Sequence, residues 1–296
     1  MDTLAGVYPP IITPFDDSGT LDAEALAFNV AKWEETGLRG YCVAGSNGEG
    51  VLLTDEEICQ AVRLVRREAS PEKVVIAGTG RESTPATIRL TRAAAEAGAH
   101  VALVITPSFY GNEMGPAALL RHYEAVAEAS PIPILLYNVP KYTNLNMAPS
   151  TVARLASHEK IVGIKDSAGN IGQIIDLLRL CPPDFQVFVG NGPAFLSGLQ
   201  VGAVGGILAV ANVAPREYVS IWELGRAGRW EEARQIHFRL MPVGQAVTTG
   251  YGVPGLKAAM DLLGYRGGAP RPPLLPADAS ARQAIAHILR EAGLLG

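Results

Sequence analysis

An α/β fold, a (β/α)8 TIM barrel with a helical C-terminal extension, is predicted by three features of this 296-residue chain. Eight short, apolar, β-branched runs alternate with longer stretches rich in Ala, Leu, Glu and Arg. The runs are apolar throughout, as expected where both faces of a parallel sheet are covered. All eight units follow one another over about 210 residues with no low-complexity linker, which favours a closed barrel over an open doubly wound sheet.

In chain order, the strands are expected at 6–12, 40–44, 74–77, 101–105, 133–137, 161–164, 186–189 and 205–209. Helices are expected between them near 22–36, 55–69, 83–97, 115–129, 149–157, 170–180 and 193–202. Thr54 before Asp55-Glu56-Glu57, and Ser83 before Thr84-Pro85, are helix starts: a capping oxygen, then acids or a proline in the first turn. Gly37 and Gly98 stand where a helix end wants a glycine. Beyond 214 come three helical stretches, 215–227, 230–247 and 253–263, then a Pro-rich turn at 267–276 and a last helix near 279–293. No strand follows, so residues 215–296 are expected to pack on a catalytic barrel of residues 1–214 as one structural unit. The apolar faces of this extension suit an oligomer surface.

Composition narrows the function classes. With 48% hydrophobic and 18% charged residues the chain has ample material for a large core and too little charge for disorder. A net charge of -4 speaks against a nucleic-acid surface, which needs a concentrated basic patch. Arg63, Arg66 and Arg67 are interleaved with apolar residues at helical spacing and read as a solvated helix face. Cys42, Cys59 and Cys181 are too few and scattered for a disulfide framework, and Cys42 lies within an apolar run as a small buried hydrophobe. The first residues, MDTLAGVYPP, lack the basic and apolar regions of a signal peptide, and no apolar run reaches membrane-spanning length. A cytoplasmic protein with no membrane and no nucleic-acid partner is expected.

A parallel barrel places its active site at the C-terminal ends of its strands, and polar residues gather there. Strand 2 is followed by Gly45-Ser46-Asn47-Gly48-Glu49 and strand 4 by Thr106-Pro107-Ser108-Phe109-Tyr110. Strand 5 ends in Tyr137-Asn138-Val139-Pro140, strand 6 in Lys165-Asp166-Ser167 and strand 7 in Gly190-Asn191-Gly192. Lys165 closes the run Ile161-Val162-Gly163-Ile164, so its amine is expected in the barrel mouth. An isolated lysine at a strand end usually snorkels or pairs with a carboxylate. Desolvation of an amine favours its neutral form, the nucleophile that a Schiff base requires. Tyr137, one strand away, has a phenol suited to proton transfer. Ser46 and Asn47 lie in a glycine-flanked loop whose backbone N–H groups can face an anion, although such glycines also serve plain turns. The loop has neither the Rossmann order of glycines nor a Walker A lysine. His158-Glu159 does not continue to a second histidine at metal-ligand spacing, and no Gly-x-Ser-x-Gly elbow occurs, so neither a metal site nor a serine hydrolase is expected.

At these residues the chain resembles the dihydrodipicolinate synthase / N-acetylneuraminate lyase (DapA) superfamily over nearly its whole length. The matching pieces are Ile12-Thr13-Pro14-Phe15, Gly45-Ser46-Asn47-Gly48-Glu49, Tyr137-Asn138-Val139-Pro140, Gly163-Ile164-Lys165-Asp166-Ser167 and Ala211-Asn212-Val213. The resemblance implies a (β/α)8 barrel, a lysine Schiff base with the 2-oxo acid pyruvate, no cofactor, no metal and a homotetramer. It assigns the Schiff-base lysine to Lys165 and the catalytic tyrosine to Tyr137. Ser46 and Tyr110 take the other places in a hydroxyl relay, the tyrosine at the Tyr110 position working across or near a subunit interface in many members. Asn47, Ser167, Gly190 and Ile207 fall at substrate-binding positions. Dihydrodipicolinate synthases usually carry two threonines where this chain has Ser46-Asn47, and an arginine where it has Tyr142. Lys141 beside it carries charge, but its place in the backbone is expected to point it elsewhere. The Gly-Ser-Asn-Gly-Glu form is similar to that of 4-hydroxy-2-oxoglutarate aldolases, as are Pro107-Ser108-Phe109-Tyr110 with its spacing to His122-Tyr123, Gly202-Ala203-Val204-Gly205-Gly206 and Tyr251-Gly252-Val253-Pro254-Gly255-Leu256-Lys257. The expected reaction is therefore cleavage of 4-hydroxy-2-oxoglutarate, or a similar 4-hydroxy-2-oxo acid, to pyruvate and an aldehyde such as glyoxylate. The alternatives are 4-hydroxy-tetrahydrodipicolinate synthase and a sugar-acid (2-keto-3-deoxy acid) aldolase.

Overall fold

The computed structural model describes residues 4–296. Eight strands, β1 (Gly6–Tyr8), β2 (Gly40–Val43), β3 (Val74–Gly78), β4 (Val101–Ile105), β5 (Ile134–Asn138), β6 (Ile161–Asp166), β7 (Gln186–Val189) and β8 (Gly205–Ile207), pair in parallel in sequence order, with β1 beside β8. A parallel bridge from Pro10 to Cys42 joins β1's continuation to β2, with Ile11 N–H on Cys42 O and Cys42 N–H on Pro9 O, both at 2.9 Å. That bridge closes the sheet into the (β/α)8 TIM barrel expected from the sequence. The first strand is shorter than predicted because Pro9 and Pro10 bring no N–H to the ladder. The fifth and sixth strands instead run past their predicted ends, which places Tyr137 and Lys165 inside regular strands.

Both faces of each strand are buried, which explains the unbroken apolar runs. Residues including Tyr8, Cys42, Ile76, Leu103, Leu135, Tyr137, Phe188 and Ile207 fill the barrel interior. Their strand neighbours, such as Val43, Val75, Val104, Leu136, Ile164 and Val187, pack outward in a second core under the helices. The surrounding helices are α1 (Ala23–Glu34), α2 (Asp55–Glu68), α3 (Thr84–Glu96), α4 (Pro116–Ala129), the short α5 (Pro140–Thr143), α6 (Pro149–Leu155), α7 (Ile171–Leu180), α8 (Phe195–Val201) and α9 (Pro215–Arg226). The predicted starts are real caps: Thr54 and Glu57 form a reciprocal capping box on α2, and Ser83 Oγ accepts the Ala86 N–H on α3. Gly98 takes φ +103° just past α3, a conformation nearly free of strain only for glycine.

After α9 the chain continues through α10 (Trp230–Gln245), a π-helical turn (Ala246–Gly250), α11 (Gly252–Leu262) and α12 (Ala279–Glu291). The π turn takes the last two residues of the expected 230–247 helix and part of the gap before 253, and it brings Thr248 and Thr249 to the mouth of the barrel. Cys42, Cys59 and Cys181 are free and buried. Among the described residues no helix is long and apolar enough to cross a membrane.

The α3–α4 layer holds a buried histidine. His122 is 5% exposed, its Nδ1 lies 2.9 Å from Thr84 Oγ1, and its Nε2 has no partner. Burial pushes its pKa down to about 4, against the opposing pull of Glu82. Its folded-state pKa lies below the unfolded value, so the unfolded chain binds the extra proton more readily. The stability this neutral imidazole contributes is complete above about pH 6.5 and is lost as pH falls towards 4, a span worth about 3 kcal/mol. Thermal melts between pH 7 and 4.5 are expected to show the decline, and His122→Gln should flatten it. An identical decline in that variant would assign it to other groups.

Candidate active site

The strand ends converge on a cavity of about 100 Å3 at the C-terminal face of the barrel, lined in part by Ser46, Asn47, Tyr137, Lys165, Ser167, Gly190 and Ile207. Every residue expected at the site except Tyr110 therefore lines one space. Lys165 pairs in register with Tyr137 on β5 and Phe188 on β7, both interior residues, so its side chain enters the barrel. It is 2% exposed, and its Nζ lies 4.2 Å from the centre of the Tyr137 ring. No carboxylate pairs with it among the described residues, which removes the ion-pair explanation for a buried lysine at this place. The Tyr137 hydroxyl lies 3.2 Å from Ser46 Oγ, linking β5 to the loop after β2.

The next residue along each strand faces the other way and anchors it. Asp166 Oδ2 accepts from Asn138 Nδ2 at 2.8 Å and Gln173 Nε2 at 2.7 Å, while its Oδ1 accepts the Ala168 N–H at 3.0 Å. Asn138 Oδ1 in turn accepts the Met147 N–H at 2.9 Å. Outside the cavity, this network locks the two strand ends that carry Tyr137 and Lys165. Neighbouring polar letters in the sequence gave no sign that Asn138 and Asp166 serve structure while Tyr137 and Lys165 face the cavity, except the period of two in a strand.

Ser167 Oγ is buried without a partner. Opposite it, Gly190 leaves a cleft: a Cβ there would stand 2.0 Å from Ser167 Oγ and 3.1 Å from Lys165 Cε. Glycine is thus needed at 190 for close approach, not for a turn. Below the lysine, Cys42 belongs to the interior core, where burial pushes its thiol up to about 11 despite the nearby Lys165 charge.

At the mouth, Lys141 and Tyr142 both line the cavity, although the sequence suggested that Lys141 points elsewhere. Lys141 Nζ donates to Thr248 O at 3.0 Å, so the π turn and α5 close one side of the opening. Burial pushes the Tyr142 phenol pKa up, with a smaller contribution from Tyr137. Among the described residues the lining includes two lysines and no aspartate or glutamate, a field that draws carboxylates. Thr248 and Thr249 carried no site signal in the sequence, being placed here by long-range packing.

Tyr110 stands apart. It is 67% exposed on the β4–α4 loop, packed edge-on against Phe109 at 5.0 Å, and does not line the cavity. Glu82 Oε2 fixes this loop by accepting the N–H groups of Ser108 and Phe109, each at 2.9 Å. Among the described residues, then, the hydroxyl contact joins Tyr137 to Ser46 and does not include Tyr110.

Residues 3–292 match the dihydrodipicolinate synthetase family. A 4-hydroxy-tetrahydrodipicolinate synthase of Methanothrix thermoacetophila is 40% identical over 272 residues, 92% of this chain and 91% of that protein. Another, of an Exiguobacterium species, is 36% identical over 286 residues, 97% of each. Among solved structures, a chloride-inhibited dihydrodipicolinate synthase of Acinetobacter baumannii complexed with pyruvate superposes with a TM-score of 0.95 at 30% identity, covering 99% of this chain and 100% of that one. The chain belongs to the dihydrodipicolinate synthetase (DapA) family, and it is a carbon–carbon lyase of the class I, pyruvate-dependent aldolase type.

Proposed function

We propose that this enzyme holds pyruvate as a Schiff base on Lys165 and couples it to aspartate semialdehyde, the 4-hydroxy-tetrahydrodipicolinate synthase reaction. The observation that carries the chemistry is the buried Lys165 amine, free of any carboxylate partner, against the Tyr137 ring and beside the Tyr137–Ser46 hydroxyl pair. The amine attacks the pyruvate carbonyl carbon. Loss of water then gives an iminium, and loss of a methyl proton an enamine. The enamine carbon attacks the aldehyde, whose oxygen takes up a proton. Tyr137 and Ser46 move these protons, while Asn47, Ser167, Gly190 and Ile207 shape the pyruvate end. The choice of aldehyde is supported by the name that the curated relatives share, at 36–40% identity over more than nine-tenths of their lengths.

A second reading, cleavage of 4-hydroxy-2-oxoglutarate to pyruvate and glyoxylate, is favoured by the mouth of the cavity. Tyr142 cannot make the bidentate carboxylate contact of an arginine, and among the described residues no acidic one lines the cavity to pair with the ammonium group of aspartate semialdehyde. Two coupled assays separate the readings. Pyruvate consumption that depends on aspartate semialdehyde supports the synthase. Pyruvate release from 4-hydroxy-2-oxoglutarate, with little turnover of aspartate semialdehyde, would move the assignment to the cleavage reaction. Activity is proposed to reside in a cytoplasmic homotetramer, with Tyr110 completing the relay at a subunit boundary. Support comes from the exposed apolar residues Val51 at 83% and Phe109 at 78%, which a neighbouring subunit would cover together with Tyr110.

A further inference from the structure

Glu49 takes a left-handed backbone conformation, φ +55°, which strains any residue with a Cβ other than asparagine or aspartate. Gly48 and Gly50 flank it, yet the left-handed position itself holds a long acidic side chain. That side chain turns inward. Oε1 lies 2.6 Å from Lys257 Nζ on α11, and both side chains are 1% exposed. Oε2 accepts the Arg271 N–H at 2.7 Å. Lys257 Nζ also donates to Ala269 O at 2.9 Å and sits 4.4 Å from the centre of the Phe15 ring, with the Arg271 guanidinium 4.3 Å from the same ring. A buried ion pair is seldom more stabilising than a well-packed apolar pair of the same volume. Its combination with a strained backbone, three residues from Ser46, points to a role other than stability.

We propose that the Glu49–Lys257 pair is a positioning device, which sets the tilt of the 45–50 turn so that Ser46 meets Tyr137 and Asn47 faces the cavity. The turn is nearly rigid within itself: the Gly48 and Gly50 N–H groups donate to Gly45 O at 3.0 and 3.2 Å, and Glu49 N–H to Ser46 O at 3.3 Å. One side of it is seated flush. A Cβ at Gly50 would stand 2.1 Å from Ala44 O and one at Gly48 2.7 Å from Ile11 O, while Thr13 Oγ1 donates to Gly48 O at 2.7 Å. The other side is gripped by the Glu49 carboxylate, through α11 and the 269–271 segment, with a longer contact from Arg81 Nη1 to Gly50 O at 3.5 Å. Through this pair, α11 and the 269–271 segment reach the reacting groups without lining the cavity.

This inference rests on the reading that Ser46 and Tyr137 form the proton relay, and its test keeps the two apart. The double variant Glu49→Gln/Lys257→Met removes both charges and keeps an acceptor at 49 for the Arg271 N–H, while Ala269 O loses the Lys257 donor. Expected are a melting midpoint within about 5 °C of wild type, a kcat at least about tenfold lower with KM for pyruvate within about twofold, and no more than about a further twofold loss when the same changes are made on Ser46→Ala. Wild-type kcat in the folded variant overturns the proposal, and so does a tenfold loss that repeats in full on Ser46→Ala. If the double variant does not fold, Lys257→Arg keeps the charge while its bulk displaces the carboxylate. A kcat loss that disappears on Ser46→Ala supports the device, and unchanged kcat overturns it. Borohydride trapping of pyruvate on Lys165 reads the underlying chemistry separately: an adduct in every variant, with fully additive losses, removes the positioning role and leaves the Schiff base standing.

Discussion

Lys165→Arg is expected to lower kcat by roughly four orders of magnitude, about 5–6 kcal/mol of transition-state stabilisation, and to abolish the borohydride-stable pyruvate adduct. Arginine keeps the positive charge and much of the length, but it is not deprotonated in proteins and offers no free amine. An anion-binding role for the lysine would survive the change in large part, whereas a covalent role would not. The register that turns Lys165 into the barrel also makes the result specific: the amine lies over Tyr137, and no carboxylate among the described residues pairs with it. Intact-mass analysis after treatment with pyruvate and borohydride checks it. Lys141 is the informative rival, since it lines the same cavity from the mouth and its Nζ is held by Thr248 O. An adduct that persists in Lys165→Arg and maps to Lys141 would overturn the assignment.

What could be read from the residues alone follows from which interactions are local. The strand ends were legible because the apolar runs stop at the barrel mouth and polar residues gather after them, although alternate ones such as Asn138 and Asp166 turn away from the cavity. Lys165, Tyr137, Ser46 and Ser167 were found in that way. Gly190 was expected at the site, but its reason, the 2.0 Å approach of Ser167 Oγ to the place of a Cβ, belongs to packing between two strands. From its place beside Tyr142, Lys141 is expected to point elsewhere, yet both residues line the cavity from a short helix, α5. Thr248 reaches Lys141 across 107 residues and Arg271 reaches Glu49 across 222. No periodicity encodes such pairs. The Tyr110 assignment came from resemblance rather than from any pattern, and in the single chain its ring remains at the surface.

Tyr137→Phe should separate proton transfer from covalent chemistry, with kcat falling by about 10^2 to 10^4, the usual worth of a positioned acid–base group. The change deletes one oxygen whose partner is Ser46 Oγ at 3.2 Å, and it keeps the ring against which the Lys165 amine rests. Loss of this one hydrogen bond costs about 1 kcal/mol of stability, so the variant should fold and should still accumulate the trapped adduct on Lys165, more slowly than wild type. Ser46→Ala, acting on the same hydroxyl pair, is expected to be milder and to cost little on top of Tyr137→Phe, since the two oxygens serve one path. A kcat within about threefold of wild type would exclude the phenol from the relay, because removing a general acid–base group is worth far more than that. A variant that folds but forms no adduct would move Tyr137 one step earlier, to the addition of the amine to the carbonyl and the departure of water. The pair of substitutions thus divides the reaction at a defined point: without the Lys165 amine no bond to pyruvate forms, and without the Tyr137 hydroxyl the bond forms but its protons have no short route between nitrogen, carbon and the aldehyde oxygen.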